Sequence, residues 1–491
     1  MEKRLRLKKV VMRDPDEGAL EYGIEPLSFT NRGYYIYVTE ACNLRCNYCF
    51  VSDKTNNRHL TPDMADKVLT FIKSDGRNLK DTYIHFFGGE PLLQPSMVDY
   101  LAGQLRAWAR ERSIKLKLGI TTNGTLLTTQ NCEMLKRQDI GVQLSLDGSK
   151  EGNDIHRQLM GGTQCGLRPA GAFDLVNIQN YFNYFGRGRP NCRMTVTIHN
   201  LRFLAKSIGE LHAMGFKSFS IIPDTDCGAW TEDFLVQYEA EMSKVFAYWA
   251  THREIEVNTI EQTIEKLAQK KATLKLCQVG RSILGITVDG NIYPCHDFSG
   301  KFSTNPAERA KLLIGHVEKG FTANQHRFSD MDIEKAKPGN GFDCSTCWAK
   351  WVCGRGCPYM NYARSGDIFQ VNSVYCAITR IHTTLALQWM SALDDFRLLR
   401  PKDITAIRQK LAKAVLNAGG GEEDAPFGRN KNGRAFLPSP MKMRQLGFDP
   451  WPDERRNGGA AAPPLDDQGP SRSKINEAEA PKTTVEASDC V

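Results

Sequence analysis

Tyr34-Tyr-Ile-Tyr-Val-Thr-Glu-Ala-Cys-Asn-Leu-Arg-Cys-Asn-Tyr-Cys-Phe50 joins a β-forming run to a loop with three cysteines. Tyr34–Thr39 reads as a strand, rich in aromatic and β-branched residues. The loop after it presents Cys42, Cys46 and Cys49 at C-x3-C-x2-C spacing. A cubane [4Fe–4S] cluster normally takes four cysteine ligands. Three thiolates therefore leave one iron open, and an open metal position marks a reactive site rather than a structural one. Zinc is the competing reading of the triplet, and it needs a fourth residue nearby.

Working outward, strand-like and helix-period segments alternate as far as about Ile255. The expected strands are Tyr34–Thr39, Thr82–Phe87, Lys115–Thr121, Gly141–Leu146, Arg193–His199 and Phe216–Ile222. Helices are expected near Pro62–Lys73, Ser96–Arg112, Gln130–Arg137, Gly171–Tyr184, Leu204–Met214 and Glu232–Thr251. Six βα units imply an α/β fold with a parallel sheet and right-handed crossovers. Periodicity leaves open whether that sheet curls into a partial barrel. Either way, the loops after the strands carry the site.

From about Cys277 the texture changes to cysteine, glycine and short turns. Within it, Gly285-Ile-Thr-Val-Asp-Gly-Asn-Ile-Tyr-Pro294 carries an Asp-Gly hairpin signal. A region this poor in apolar residues is expected to fold around metal. Ile381–Leu393 and Asp403–Asn417 read as helices, and Gly419–Val491 as a largely disordered tail. The expected division is a short N-terminal segment (1–33), a core domain (34–255), a linker helix (256–276), a cysteine-rich domain (277–390), C-terminal helices (391–418) and the tail (419–491).

The composition is globular, with 41% hydrophobic and 24% charged residues among 491. No apolar run reaches the length of a spanning helix. The basic segment Met1–Arg13 lacks the apolar core of a signal peptide. The expectation is a cytoplasmic protein with no membrane partner. A net charge of +8, spread along the chain, gives no indication of nucleic acid. In a cytoplasmic chain, fifteen cysteines point to metal rather than disulfides. Ten of them fall into spaced groups, while Cys132 and Cys192 read as small buried hydrophobes.

Further signals follow the other strands. Phe86-Phe-Gly-Gly-Glu-Pro-Leu-Leu93 pairs two glycines, which let backbone approach a ligand, with Glu90, an acceptor for an ammonium group. Thr121-Thr-Asn-Gly-Thr125 and Ser145-Leu-Asp-Gly148 are polar loops. In Asp154-Ile-His-Arg157, the arginine is suited to forking a carboxylate. A ligand with an amine, a carboxylate and a ribose would use all four loops. For each of these residues an ordinary turn or helix-pairing role is the alternative.

The cysteine triplet, with Tyr48 before its last cysteine, and the Gly-Gly-Glu-Pro loop together resemble the radical S-adenosylmethionine (SAM) superfamily. That resemblance implies a partial (β/α)6 TIM-like barrel whose open iron chelates the SAM amine and carboxylate. One electron from the cluster then cleaves SAM to methionine and a 5′-deoxyadenosyl radical, which takes a hydrogen atom from the substrate. Carried over, Gly88, Gly89 and Glu90 hold the SAM amine, Arg157 its carboxylate and Ser145 the ribose. Tyr48 and Asn123 border the same pocket. The family often has His-Asp where this chain has Asn153-Asp154, so Asn153 receives no role.

Cys277, Cys295, Cys344, Cys347, Cys353, Cys357 and Cys376 resemble the SPASM extension, with its hairpin, helices and two auxiliary [4Fe–4S] clusters. The resemblance gives Cys344, Cys347, Cys353 and Cys376 to one cluster and Cys277, Cys295 and Cys357 to the other. The fourth ligand of that second set is either absent or a distant residue such as Cys227. On spacing alone, Cys344–Cys357 also reads as a zinc ribbon. In sulfatase-maturing relatives an aspartate directly after the cysteine matching Cys295 is a base. Here His296 holds that place and Asp297 follows, so either is a candidate proton acceptor, with structural hydrogen bonding as the alternative.

The implied activity is oxidative modification of a peptide or protein, a crosslink or backbone edit during ribosomal peptide maturation. Formylglycine formation from Cys or Ser is the alternative. The implied partners are the peptide or protein substrate and an electron donor such as flavodoxin or ferredoxin. Because only 33 residues precede Tyr34, leader recognition falls to a separate leader-peptide-binding protein or to this chain's own surfaces.

Overall fold

Strand β3 (Asn31–Thr39) is the hub of the sheet, hydrogen-bonded on both sides by parallel strands. A computed structural model of the chain describes residues 10–14, 18–22, 31–51, 58–75, 79–160, 171–186, 191–225, 230–252, 254–269, 277, 279–300, 305–329, 335–337, 344, 347, 349 and 352–391. The segments Asp403–Asn417 and Gly419–Val491 therefore lie outside the described residues. So do Cys165, Cys227 and Cys490.

A short hairpin, β1 (Val10–Asp14) with β2 (Gly18–Tyr22), precedes β3. After β3 come β4 (Asp81–Gly88), β5 (Lys115–Thr122), β6 (Ile140–Ser145), β7 (Asn191–Val196) and β8 (Ser218–Pro223), each parallel to the last. The intervening helices are α1 (Pro62–Asp75), α2 (Pro95–Glu111), α3 (Thr129–Arg137), α4 (Lys150–Asp154), α5 (Ile178–Phe185) and α6 (Leu204–Met214), with α7 (Glu232–Thr251) after β8. Apart from the short polar α4, each buries an apolar stripe. In α2 the stripe is Val98, Leu101, Ala102, Leu105 and Trp108, at the three- and four-residue spacing of one helix face.

Two expected boundaries change. The stretch expected as a linker adds β9 (Glu256–Val257) to the sheet edge beside β8, followed by α8 (Asn258–Gln269). It is a further βα unit rather than a spacer. The cysteine-rich segment also does not stand apart. Its hairpin, β10 (Ile283–Ile286) and β11 (Asn291–Tyr293), turns through Gly290 at φ 81°. β10 then pairs in parallel with β3, so the hairpin extends the core sheet. β12 (Gly315–His316) and β13 (Gly320–Phe321) complete eleven strands in the order 13-12-11-10-3-4-5-6-7-8-9. Strands 13 and 9 are not paired to each other, so the barrel is partial. The short helix α9 (Pro306–Leu312) lies between β11 and β12; α10 (Asn324–Ser329) and α11 (Pro358–Ser365) come after β13, and then α12 (Ser373–Ser391), which packs against α7 and α8. No described helix is long and apolar enough to cross a membrane.

Candidate active site

A cavity of about 880 Å³ lies at the C-terminal ends of the strands. Its walls include the cysteine loop, Gly88 and Gly89 after β4, Asn123 after β5, Ser145 at the end of β6 and Arg157 after α4. Cys42, Cys46 and Cys49 are half-buried and all three line it. The Leu44 N–H donates to Cys42 Sγ at 3.4 Å, the contact a thiolate ligand receives from its own loop.

The paired glycines serve that loop directly. The Gly89 N–H donates to the Thr39 carbonyl, and the Glu90 N–H to the Ala41 carbonyl, each at 2.9 Å. Gly88 has φ +133°, and a Cβ there would sit 2.0 Å from the Thr39 carbonyl oxygen. A Cβ on Gly89 would sit 2.1 Å from that of Ala41. Sequence reasoning assigned these glycines to a ligand. In the structure they also admit the backbone that enters the cysteine loop, as only glycine can.

Glu90 is fully buried, and its carboxylate is turned away from the cavity. It accepts from the Leu92 N–H (3.0 Å), the Thr122 hydroxyl (2.8 Å) and the Asn123 N–H (2.8 Å). This corrects the expectation of a side chain reaching for an ammonium group, because three protein donors already use it. Burial pushes its pKa up to about 7 against those hydrogen bonds. An acid whose pKa rises on folding weakens the fold as it ionises. Stability should therefore fall between about pH 4.5 and 7 for the wild type. Glu90→Gln cannot ionise, so its melting temperature relative to wild type should climb across that window and level off above it. A constant difference would remove the assignment.

Arg157 also differs from expectation. Its fork is taken: Nε and Nη2 donate to the Asp147 carboxylate at 2.9 and 3.0 Å, with both side chains buried. Asp147 further accepts from the Tyr48 hydroxyl and from the Thr195 N–H (2.8 Å). The Arg157 guanidinium lies over the Tyr48 ring, 5.7 Å from its centroid. Tyr48, between two cluster cysteines, is thus tied through one carboxylate to β7 and to the segment after α4. Asp147 had no role in the sequence reading, although it sits in the quoted Ser145–Gly148 loop. Asn153 is fully buried and accepts the Asp147 N–H.

The side chain of Asn123 donates to Asn43 Oδ1 at 2.9 Å, a second clamp on the cysteine loop. Ser145 is buried and lines the cavity. Arg193 of β7 lines it too, forms no ion pair among the described residues, and was not anticipated. A cavity-facing guanidinium without a carboxylate is a ready site for one from a ligand.

The two candidate proton acceptors separate. Asp297 lines the cavity and His296 does not. The His296 ring stacks on Tyr35 at 4.3 Å and meets the edge of Phe87 at 4.8 Å, and Nδ1 is buried without a partner. Burial lowers its pKa, which favours the neutral ring.

A sequence profile of the radical SAM superfamily matches residues 36–165. The chain is 34% identical over 368 residues to the serine-type anaerobic sulfatase-maturating enzyme of Bacteroides thetaiotaomicron, covering 67% of this chain and 83% of that protein. The chain belongs to the radical SAM superfamily. It is also 22% identical to the antilisterial bacteriocin subtilosin biosynthesis protein AlbA of Bacillus subtilis, over 64% of this chain and 66% of AlbA. The fold matches that of anSMEcpe with bound AdoMet and the Kp18Cys peptide at TM-score 0.58 and 18% identity, covering 72% of this chain and 97% of that one.

As a radical SAM enzyme the protein uses S-adenosylmethionine and a [4Fe–4S] cluster. Seven further cysteines gather in two sets. Cys344 and Cys347 are electrostatic neighbours of both Cys353 and Cys376, the last on α12. Arg380 Nη2 donates to Cys347 Sγ at 3.7 Å, and the Arg355 N–H to Cys353 Sγ at 3.3 Å. Cys295, Cys277 and Cys357 form the other set. Burial, and then the nearby Asp297, push the Cys357 thiol up to about 12. Thiols this close together resist joint ionisation unless a cation shares the site, so both sets suit a metal such as iron. Cys132 and Cys192 are buried away from both sets, as expected.

Proposed function

We propose that this radical SAM enzyme oxidatively modifies a peptide or protein, making a crosslink or backbone edit in a ribosomally made peptide. The observation that supports this is one continuous cavity. It runs from the cysteine loop to Asp297 and Cys357 of the cysteine-rich region, and on to Tyr375, Ile378 and Thr379 of α12. A peptide segment placed there lies beside both the cofactor site and the auxiliary cysteines. AlbA, a bacteriocin biosynthesis protein, is among the relatives and favours the peptide reading.

When bound, the cluster and S-adenosylmethionine supply a 5′-deoxyadenosyl radical that takes a hydrogen atom from the substrate. Cys42, Cys46 and Cys49 hold the cluster, and the Gly88–Glu90 backbone meets the cofactor amine. Ser145 and Asn123 border the ribose. Glu90 shapes this wall from behind, and the Tyr48–Asp147–Arg157 network fixes the cysteine loop against it. Arg193 meets a carboxylate of cofactor or substrate. Cys344, Cys347, Cys353 and Cys376 would hold one auxiliary [4Fe–4S] cluster and Cys277, Cys295 and Cys357 the other, and such clusters would supply an electron acceptor beside the substrate. Flavodoxin or ferredoxin supplies electrons. A leader peptide is read by this chain or by a separate binding protein.

Anaerobic reconstitution with S-adenosylmethionine and dithionite should yield 5′-deoxyadenosine, and a candidate peptide should lose two hydrogens in mass. No 5′-deoxyadenosine would refute catalysis. Formylglycine formation is the second reading, favoured by the 34% identity to a sulfatase-maturating enzyme and by Asp297 facing the cavity. Ser loses two hydrogens in either case, so a hydrazide-reactive aldehyde on a Cys- or Ser-containing sulfatase peptide is the readout that separates the two. Cys347→Ala should leave 5′-deoxyadenosine formation intact while product falls below detection. Normal product from that variant would remove its cluster from the reaction.

A further inference from the structure

Three cysteines gather at the first auxiliary site, and a cubane cluster has four irons. The other described cysteines are placed elsewhere: Cys132 is buried on α3, and Cys192 on β7 donates to the Leu146 carbonyl. One carboxylate, that of Asp297, lies beside Cys295. The side-chain ligand atoms of Cys295, His296 and Asp297 lie within 4.8 Å of one another. Asp297 shares the cavity wall with Cys357, which arrives from a distant part of the chain. The turn Asp297–Ser299, closed by the Gly300 N–H on the Asp297 carbonyl, holds the side chain there.

We propose that the Asp297 carboxylate is the fourth protein ligand of the cluster held by Cys277, Cys295 and Cys357. This rests on the iron–sulfur reading of those three thiols. Two observations favour Asp297 over its neighbour. Its carboxylate lies within 4.8 Å of the Cys295 sulfur and lines the cavity wall that Cys357 also lines and that His296 does not. His296 is wedged between Tyr35 and Phe87, with Nε2 3.4 Å from Asp297 Oδ1. The assignment also withdraws Asp297 from service as a proton acceptor.

The test uses the full-length, anaerobically loaded enzyme with S-adenosylmethionine present to cap the first cluster. Electron–nuclear double resonance in 17O-labelled water should show no strong oxygen coupling on the reduced auxiliary clusters of the wild type. Asp297→Asn should shift the g values and midpoint potential of one auxiliary cluster and leave the other unchanged, and the 17O coupling should then appear. Strong 17O coupling in the wild type means an open, solvent-bound iron and overturns the proposal. So does an unchanged Asp297→Asn spectrum, or a shift produced by Cys227→Ala instead. Should Asp297→Asn fail to fold, the wild-type measurement and Cys227→Ala decide. Zinc, or a missing third cluster, would sink the underlying cluster reading rather than the choice of ligand.

Discussion

Cys46→Ala should abolish 5′-deoxyadenosine formation and remove one cluster's iron and sulfide, with the auxiliary signals intact. The loop offers three thiolates, and a cubane held by two is not retained. Cys46 lies at the middle of the triplet, half-buried, against the cavity that Cys42 and Cys49 also line. Nothing else described there provides a thiol except Cys357, which belongs to the auxiliary set. Chromatography of the reaction mixture and iron analysis read both effects. Cleavage at even a few per cent of the wild-type rate, with the iron content unchanged, would show that these cysteines do not hold the reactive cluster.

Asp147→Ala should be the most damaging change outside the cysteines. Removing one partner of a buried ion pair costs about 3–5 kcal/mol, because the other charge is left without compensation. Here Arg157 loses both contacts, and the Tyr48 hydroxyl and Thr195 N–H lose their acceptor as well. The urea midpoint of the loaded enzyme should fall accordingly, and S-adenosylmethionine affinity should fall with it as Tyr48 and the cysteine loop loosen. Asp147→Ala combined with Arg157→Met should recover part of the loss, since the stranded cation is gone. A cost below about 1 kcal/mol for the single variant would mean that the network is ornamental.

The periodic part of this fold was plain in the chain. The six expected strands sit within a few residues of β3 to β8, because each apolar run is bounded by turn residues and followed by a helical stripe. The helix expected from Gly171 begins later, at Ile178. Asn177 caps it by accepting the Asn180 N–H, and a short 3-10 turn occupies Phe173–Leu175. The Asn-Gly-free hairpin was legible from Asp289-Gly290, but its pairing with β3 was not. That contact joins residues some 250 positions apart and leaves no local mark.

At the site, residue type predicted the chemistry better than the partner. An arginine after the fourth strand reads as a carboxylate binder, and it is one, but the carboxylate is Asp147 of the same chain. Glu90 reads as an acceptor for N–H donors, and it accepts two of them from backbone amides. Arg193 looked like an ordinary strand residue; it shares the cavity-facing side of its strand with Thr195 and, just beyond the strand, Thr197, and which side faces a cavity is set by the rest of the sheet. Cys376 has Cys344, Cys347 and Cys353 as electrostatic neighbours, and Cys295 has Cys277 and Cys357; that each set holds a cluster is a proposal.

The most direct test is Mössbauer spectroscopy on anaerobically prepared, 57Fe-loaded protein, with and without S-adenosylmethionine. The account predicts cubane iron throughout, with one iron of one cluster changing its isomer shift when the cofactor binds. Loss of that response in Cys46→Ala would complete the assignment. Zinc at Cys42, Cys46 and Cys49, or a spectrum indifferent to S-adenosylmethionine, would contradict it.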